Sequence, residues 1–187
     1  MGDGDQSYVI DVCAIGDLTG ENRPNQLYHN PYEAERVWAG LDALIEQRRL
    51  ATVYQAKREM QEHCPNGYAR LGHYGRKFFV PRLASVWTAA MRVLAAAEER
   101  TRLRAAMAKP TRDPADVYLV ALADVRNAKI VTSELGRYER VANTKNDERI
   151  PDLCLAYFGS KDRVLHLEDL VRLEGWLRLT RFLNQTP

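Results

Sequence analysis

Cysteine is scarce in this chain of 187 residues: Cys13, Cys64 and Cys154 stand far apart. Three thiols cannot all pair internally, so a disulfide framework is excluded and a reducing compartment is expected. Zinc-ligand spacing is absent as well, and His63 beside Cys64 lacks the partners that a metal centre needs. No run approaches the roughly eighteen apolar residues of a membrane span, and Met1-Gly2-Asp3-Gly4-Asp5 has neither the basic nor the apolar region of a signal peptide. The expectation is a cytoplasmic protein without membrane association. A charge excess is also missing, with 27 Lys and Arg against 25 Asp and Glu. Net charge therefore does not mark a nucleic-acid binder, and the distribution of charge must decide. Internal repeats, low-complexity tracts and a Ser/His/Asp or Cys/His pattern for nucleophilic catalysis are not visible.

What is present begins with Tyr8-Val9-Ile10-Asp11-Val12-Cys13-Ala14-Ile15, an apolar run that reads as a buried strand apart from its fourth position. Burying a lone carboxylate costs several kcal/mol, roughly, unless a cation, donors or solvent meet it. Asp11 thus either caps the following turn or looks into a site at the carboxyl end of a parallel sheet. A loop from Gly16 to Tyr32 follows, then a helix opened by Pro31 and running to about Arg49. Leu50–Val53 is a short strand, and a helix from about Gln55 to Glu62 ends at Cys64-Pro65-Asn66-Gly67. Segment 67–82 interleaves Tyr68, Tyr74, Phe78 and Phe79 with Arg70, His73, Arg76, Lys77 and Arg82. Such a segment suits single-stranded RNA, with cations for phosphates and rings for bases; it equally suits a surface loop that tucks two Phe residues into a core.

Residues 83–109 read as one long Ala- and Arg-rich helix. Asp113-Pro114-Ala115-Asp116 opens another by rule: an N-cap Asp, a Pro at the first helical position and an acid facing the helix dipole. Val117 to Ala123 make that helix apolar nearly all round, as a central one should be. Asp116 is either a first-turn capping acid or a site residue. Lys129–Thr132 is the next strand, with Ser133 and Glu134 just beyond its end. Residues 135–149 form a polar loop, Ile150–Cys154 starts a short helix, Val164–Leu167 is a last strand, and a terminal helix runs from Glu168 to about Leu183. Alternating strands and helices call for a parallel sheet with right-handed crossovers.

Tyr8-Val9-Ile10-Asp11, Glu59 on the helix after a short strand, Asp116-Val-Tyr-Leu-Val-Ala-Leu-Ala, and Val131-Thr132-Ser133-Glu134 occur in the order of the PIN-domain ribonucleases, which the chain resembles. Arg149-Ile150-Pro151-Asp152-Leu153-Cys154, followed by a strand and a Leu-Glu-Asp-Leu helix, is similar to the closing motif of a PIN-like subgroup long known as a domain of unknown function. The resemblance covers about residues 8–172. It departs where the usual Ser or Thr after the first Asp is replaced by Cys13-Ala14, and where the last acid is Glu134 rather than Asp.

The resemblance implies one α/β domain over residues 8–172, a three-layer α/β/α PIN-like fold on a parallel sheet of four or five strands. Helical elaboration falls at 83–109, a mobile lead-in at 1–7, and a helix end and tail at 173–187. It further implies a metal-dependent endoribonuclease using Mg²⁺ or Mn²⁺, the toxin of a toxin–antitoxin pair. Its expected partners are RNA, a cognate antitoxin and a second copy of the chain. Hard cations want carboxylate oxygens and water, and two of them ~3.5 to 4 Å apart activate a water and steady a leaving oxygen. Asp11 and Asp116 are the expected primary ligands, Glu59 completes the site, and Glu134 and Asp152 hold waters or a second ion. Thr132 and Ser133 are expected hydroxyl contacts, while Arg76, Lys77 and Tyr74, with the loop 137–149, are expected to flank the acids and hold the substrate. Glu62 and Asp113 are set aside as off-face and as a cap. The competing reading is an inactive PIN-like module that binds nucleic acid or protein; a phosphatase-type metal hydrolase lacks its motifs.

Overall fold

The computed structural model describes residues 6–21, 30–97, 115–134 and 149–177. In chain order these form β1 (Tyr8–Ile10), α1 (Val12–Thr19), α2 (Pro31–Glu46), β2 (Leu50–Val53), α3 (Tyr54–His63) and α4 (Pro65–Leu71). A 3-10 segment (Gly72–Lys77), β3 (Phe79–Val80), α5 (Ala84–Ala96), α6 (Ala115–Arg126), β4 (Lys129–Val131), α7 (Ile150–Phe158), β5 (Val164–Leu165) and α8 (Leu167–Leu173) follow. The strands make one five-stranded sheet in the order β3-β2-β1-β4-β5, every pair parallel. This is the α/β architecture that the alternation predicts, with helices flanking the sheet in three layers. The chain moves outward from β1 through β2 to β3, then crosses back to β4 and β5. Right-handed connections running in opposite directions place their helices on opposite faces, and α5, α6 and α7 pack on one another.

β1 is the central strand, with Tyr8 opposite both Leu50 and Lys129. All three of its residues are buried, as are Val117 to Ala123 of α6, whose apolar circumference marks a helix enclosed by its neighbours. At the amino edge Tyr8 is anchored by its phenol, which donates to Glu174 Oε1 at 2.7 Å, while Arg49 Nη2 donates to the same oxygen at 2.7 Å. Glu174→Ala leaves a buried phenol and a half-buried guanidinium without this acceptor. It should lower stability by ~1 to 3 kcal/mol, measurable by urea unfolding, and an unchanged midpoint would remove this role.

Four readings of local structure change. The run Tyr8–Ile15 is not one strand: β1 ends at Ile10 and Val12–Thr19 is helical, closed by Gly20 at φ 78°. A strand and a buried helix laid end to end read as one apolar run, because periodicity cannot divide a short stretch. Within 67–82 a further helix and β3 appear, and Thr52 N donates to Phe78 O at 2.8 Å, so the Phe pair builds a sheet edge. The helix expected over 83–109 is α5, which ends at Ala96 as Ala97 turns extended; residues 98–109 lie outside the described residues. The terminal helix stops at Leu173, and Gly175 at φ 68° turns the chain so that Trp176 lies on Gly40, where a Cβ has no room. The expectations at Asp113 and over 135–148, 178–187 and the first five residues also fall outside the described residues.

Candidate active site

A strand order of 3-2-1-4-5 reverses direction between β1 and β4. Beyond the carboxyl ends of two such strands the chains diverge and leave a crevice, the usual place for a ligand in an open parallel sheet. Asp11 directly follows β1, and Thr132, Ser133 and Glu134 directly follow β4. α3 springs from the end of β2 without a loop, which brings Glu59 to its second turn. α6 runs back toward the start of β4, so its first turn, with Asp116, begins at this same edge.

Asp11 is both a cap and part of the site. Its backbone is extended and its Oδ1 accepts from Val12 N at 2.7 Å, which explains why helix α1 starts there. Oδ2 accepts from Cys13 Sγ at 2.6 Å and from Thr132 Oγ1 at 3.1 Å. Thr132 Oγ1 in turn accepts from Glu134 N at 3.1 Å, and Ser133 N donates to Cys13 Sγ at 3.3 Å. β1 and β4 are thereby tied together at their ends around one carboxylate. Cys13 fills the position where the resemblance places a hydroxyl, and it acts as the donor a hydroxyl would be. Burial and the Asp11 charge raise its thiol well above the ordinary range, which disfavours the thiolate that a nucleophile needs. In the sequence Cys13 stands out only as a departure from the resemblance, and its place two residues after Asp11 is the signal of this role.

Four acids act on one another at this edge. Asp116 is raised well above the ordinary carboxylate range, first by burial, then by the charges of Glu134, Asp11 and Glu59. Asp11 is raised by burial and by Glu59, against the lowering effect of its Cys13, Thr132 and Val12 bonds. Glu59 is raised by the protein around its carboxyl and by Glu134, although much of its side chain is open to solvent. Glu134 is raised by burial and by Asp11. Only Glu134 among them is ion-paired within the described residues: Arg149 Nη1 donates to Oε1 at 3.0 Å and Ile150 N to Oε2 at 3.1 Å. Asp116 and Glu59 accept no hydrogen bond from the described residues.

The other expected site residues take other parts. Asp152 sits in the first turn of α7, where its Oδ2 accepts from Arg149 N at 3.1 Å as a capping acid. Ser133 meets Cys13 through its backbone. Arg76 and Lys77 precede β3, at the amino edge of the sheet and opposite the acids; Lys77 pairs with Glu46 at the end of α2. Tyr74 lies beneath α2, its phenol pushed up to about 12 by burial and by Asp42. These three therefore do not flank the carboxylates, because a residue before a parallel strand and one after it lie at opposite edges. Arg82, which follows β3, is at the carboxyl edge: it stacks over the Trp87 ring at 3.8 Å and donates to Tyr118 Oη at 2.8 Å, two residues along α6 from Asp116.

The donor set is all oxygen, which suits a hard divalent cation and not a soft one. Among the described residues no three His, Cys, Asp or Glu side chains form a group able to hold a metal ion as they stand. Mg²⁺ commonly keeps several waters and takes only one or two carboxylates.

Fold and site together define a parallel α/β/α domain with a carboxylate group at its topological switch point. The chain belongs to the DUF4411 family, a domain of unknown function, whose family model matches residues 22–176. The match takes in Glu59, Asp116, Glu134 and Asp152, and starts after Asp11. No curated protein and no solved structure shows significant similarity to the chain. Among the described residues no helix is long and apolar enough to cross a membrane.

Proposed function

We propose that the protein is a metal-dependent endoribonuclease of PIN-like type, hydrolysing RNA phosphodiester bonds at Asp11, Asp116, Glu59 and Glu134 with Mg²⁺ or Mn²⁺. One observation carries the reading: four carboxylates from four segments lie at the carboxyl edge of the sheet and act on one another electrostatically, with only Glu134 ion-paired among the described residues. Uncompensated acids gathered in a crevice are a common mark of a functional site, since burial without a partner lowers stability. Asp11, held in a single orientation by three donors, and Asp116, without donors among the described residues, are the cation ligands, and Glu59 orients a water from the opposite wall. A divalent cation bound there supplies an acidified water and neutralises charge on the phosphoryl oxygens. Arg82 offers a cation for the RNA backbone at this edge, and the exposed Trp87 ring offers a face for a base. The resemblance to PIN ribonucleases supports a toxin role in the cytoplasm, with a cognate antitoxin and a second copy of the chain as partners.

A second reading has its own support. With no three acids gathered for a metal and Glu134 held by Arg149, the domain is instead a module that binds nucleic acid without turnover. Incubating total RNA with the protein, with and without Mn²⁺, and mapping new ends separates the two. The nuclease reading expects discrete Mn²⁺-dependent ends. RNA retention without new ends would favour the binding module.

A further inference from the structure

The edge of the sheet opposite the carboxylates holds a second charged feature. Arg48 precedes β2, Arg76 and Lys77 precede β3, and Arg126 closes α6 before β4, so parallel strands bring all four to the amino edge. Together they line a concavity of about 430 Å³, within the ~300 to 1,000 Å³ usual for small-molecule sites. Lys77 is paired with Glu46. Arg48, Arg76 and Arg126 make no side-chain hydrogen bond or ion pair with the described residues, so three guanidinium groups share one cavity in which Lys77 alone is ion-paired among the described residues. Arg126 is half-buried, and burial pulls its pKa below the ordinary guanidinium range. Arg48 sits at φ 60°, a conformation that glycine or asparagine adopts more easily, and it presents its side chain to the cavity from that strained turn.

Arg48, Arg76 and Lys77 are exposed and Arg126 is half-buried, so like charges crowd one concavity, and an anion bound there would offset their repulsion. Three guanidinium forks and one ammonium match clustered phosphate oxygens, which accept paired N–H donors, better than a lone carboxylate. No aromatic ring lines the cavity among the described residues, so recognition rests on phosphates rather than on a base. We propose that Arg48, Arg76, Lys77 and Arg126 form a binding site for a compact anion carrying several phosphates, such as an inorganic or nucleoside polyphosphate. The site is separate from the carboxylate crevice and does not depend on the nuclease reading. Phosphates also occur along an RNA backbone, but the concavity lies at the edge of the sheet opposite the acids, which favours a free ligand over a strand that must also reach them.

The test is calorimetric titration of inorganic triphosphate into the full chain at low salt without divalent metal, with a single-stranded RNA of about twelve nucleotides as the second arm. Expected is saturable triphosphate binding, weakened ~10-fold or more by Arg76→Gln and by Arg126→Gln. Arg58→Gln, a cation on α3 outside the cavity, should leave it unchanged. Arg76 is exposed, so its variant stays informative if the Arg126 variant melts early. RNA should not displace triphosphate. Absence of triphosphate binding, equal binding by both pocket variants, or RNA binding through these arginines with no affinity for triphosphate would each overturn the proposal.

Discussion

Asp116→Asn should abolish Mn²⁺-dependent RNA cleavage and at the same time raise the melting temperature of the metal-free protein. Loss of a group that only orients a metal ligand typically weakens function ~10- to 100-fold, so loss of a ligand itself should reach ~100-fold or more. The stabilisation has a separate cause. Asp116 accepts no hydrogen bond from the described residues, and its carboxyl is raised by burial and by Glu134, Asp11 and Glu59. A neutral amide of the same shape removes that repulsion and gives up no described bond. Asp11→Asn is the less clean variant, since Asp11 accepts from Val12, Cys13 and Thr132 and an amide nitrogen would face donors. Retained cleavage with a lowered melting temperature would make Asp116 an ordinary first-turn acid of α6. Cleavage is read on a labelled RNA, stability by calorimetric melting.

The metal-free protein should also become more stable as pH falls from neutral toward the ordinary carboxylate range. Asp11, Glu59, Asp116 and Glu134 all titrate above their ordinary values in the folded state. A carboxyl raised on folding binds its proton more tightly in the native state. Its contribution is fully present below the ordinary carboxylate pKa and is lost as pH rises through the raised one. Glu21, held low by Asn66 N, Cys64 and Thr19 against burial, acts in the opposite sense. Its stabilisation is lost only as pH falls through its lowered value, beneath this window. The rise should reach at least ~2 °C, the shift that about 1 kcal/mol produces in a chain of this size, and Asp116→Asn should diminish it. A melting temperature that falls steadily over the same window would show that the four acids are not coupled as described.

Much of this site is legible in the sequence because parallel α/β folds convert chain order into place. Asp11 after an apolar run, Glu134 after Lys129–Val131 and Asp116 at a helix start all fall at one edge once the strands are parallel. Asp152 was drawn in by its position in a motif, yet an acid at the third residue of a helix is also what a capping box requires, and it bonds back to Arg149 N in that way. Arg76 and Lys77 suit a substrate rim only if segment 67–82 is a loop. Once Phe79-Val80 is seen as a strand, the residues before it belong to the amino edge and Arg82 after it to the carboxyl edge. The division of Tyr8–Ile15 into a strand and a helix was hidden because both halves are buried and apolar. Its marker was Asp11, a residue that caps helices. The tie between Cys13 and Asp11 joins neighbours in sequence but depends on Thr132 across the sheet, and no spacing rule conveys that.

The central claim is that the four carboxylates form one unit that takes a divalent cation. Calorimetric titration of Mn²⁺ into metal-free protein, paired with melting in the same buffer, tests it most directly. A ligand that binds only the folded state must raise the melting temperature. The account predicts saturable Mn²⁺ binding, a higher melting temperature and a dissociation constant weakened ~10-fold or more in Asp116→Asn. Absence of heat and of any melting shift up to millimolar Mn²⁺, or equal Mn²⁺ affinity in the wild type and Asp116→Asn, would contradict it.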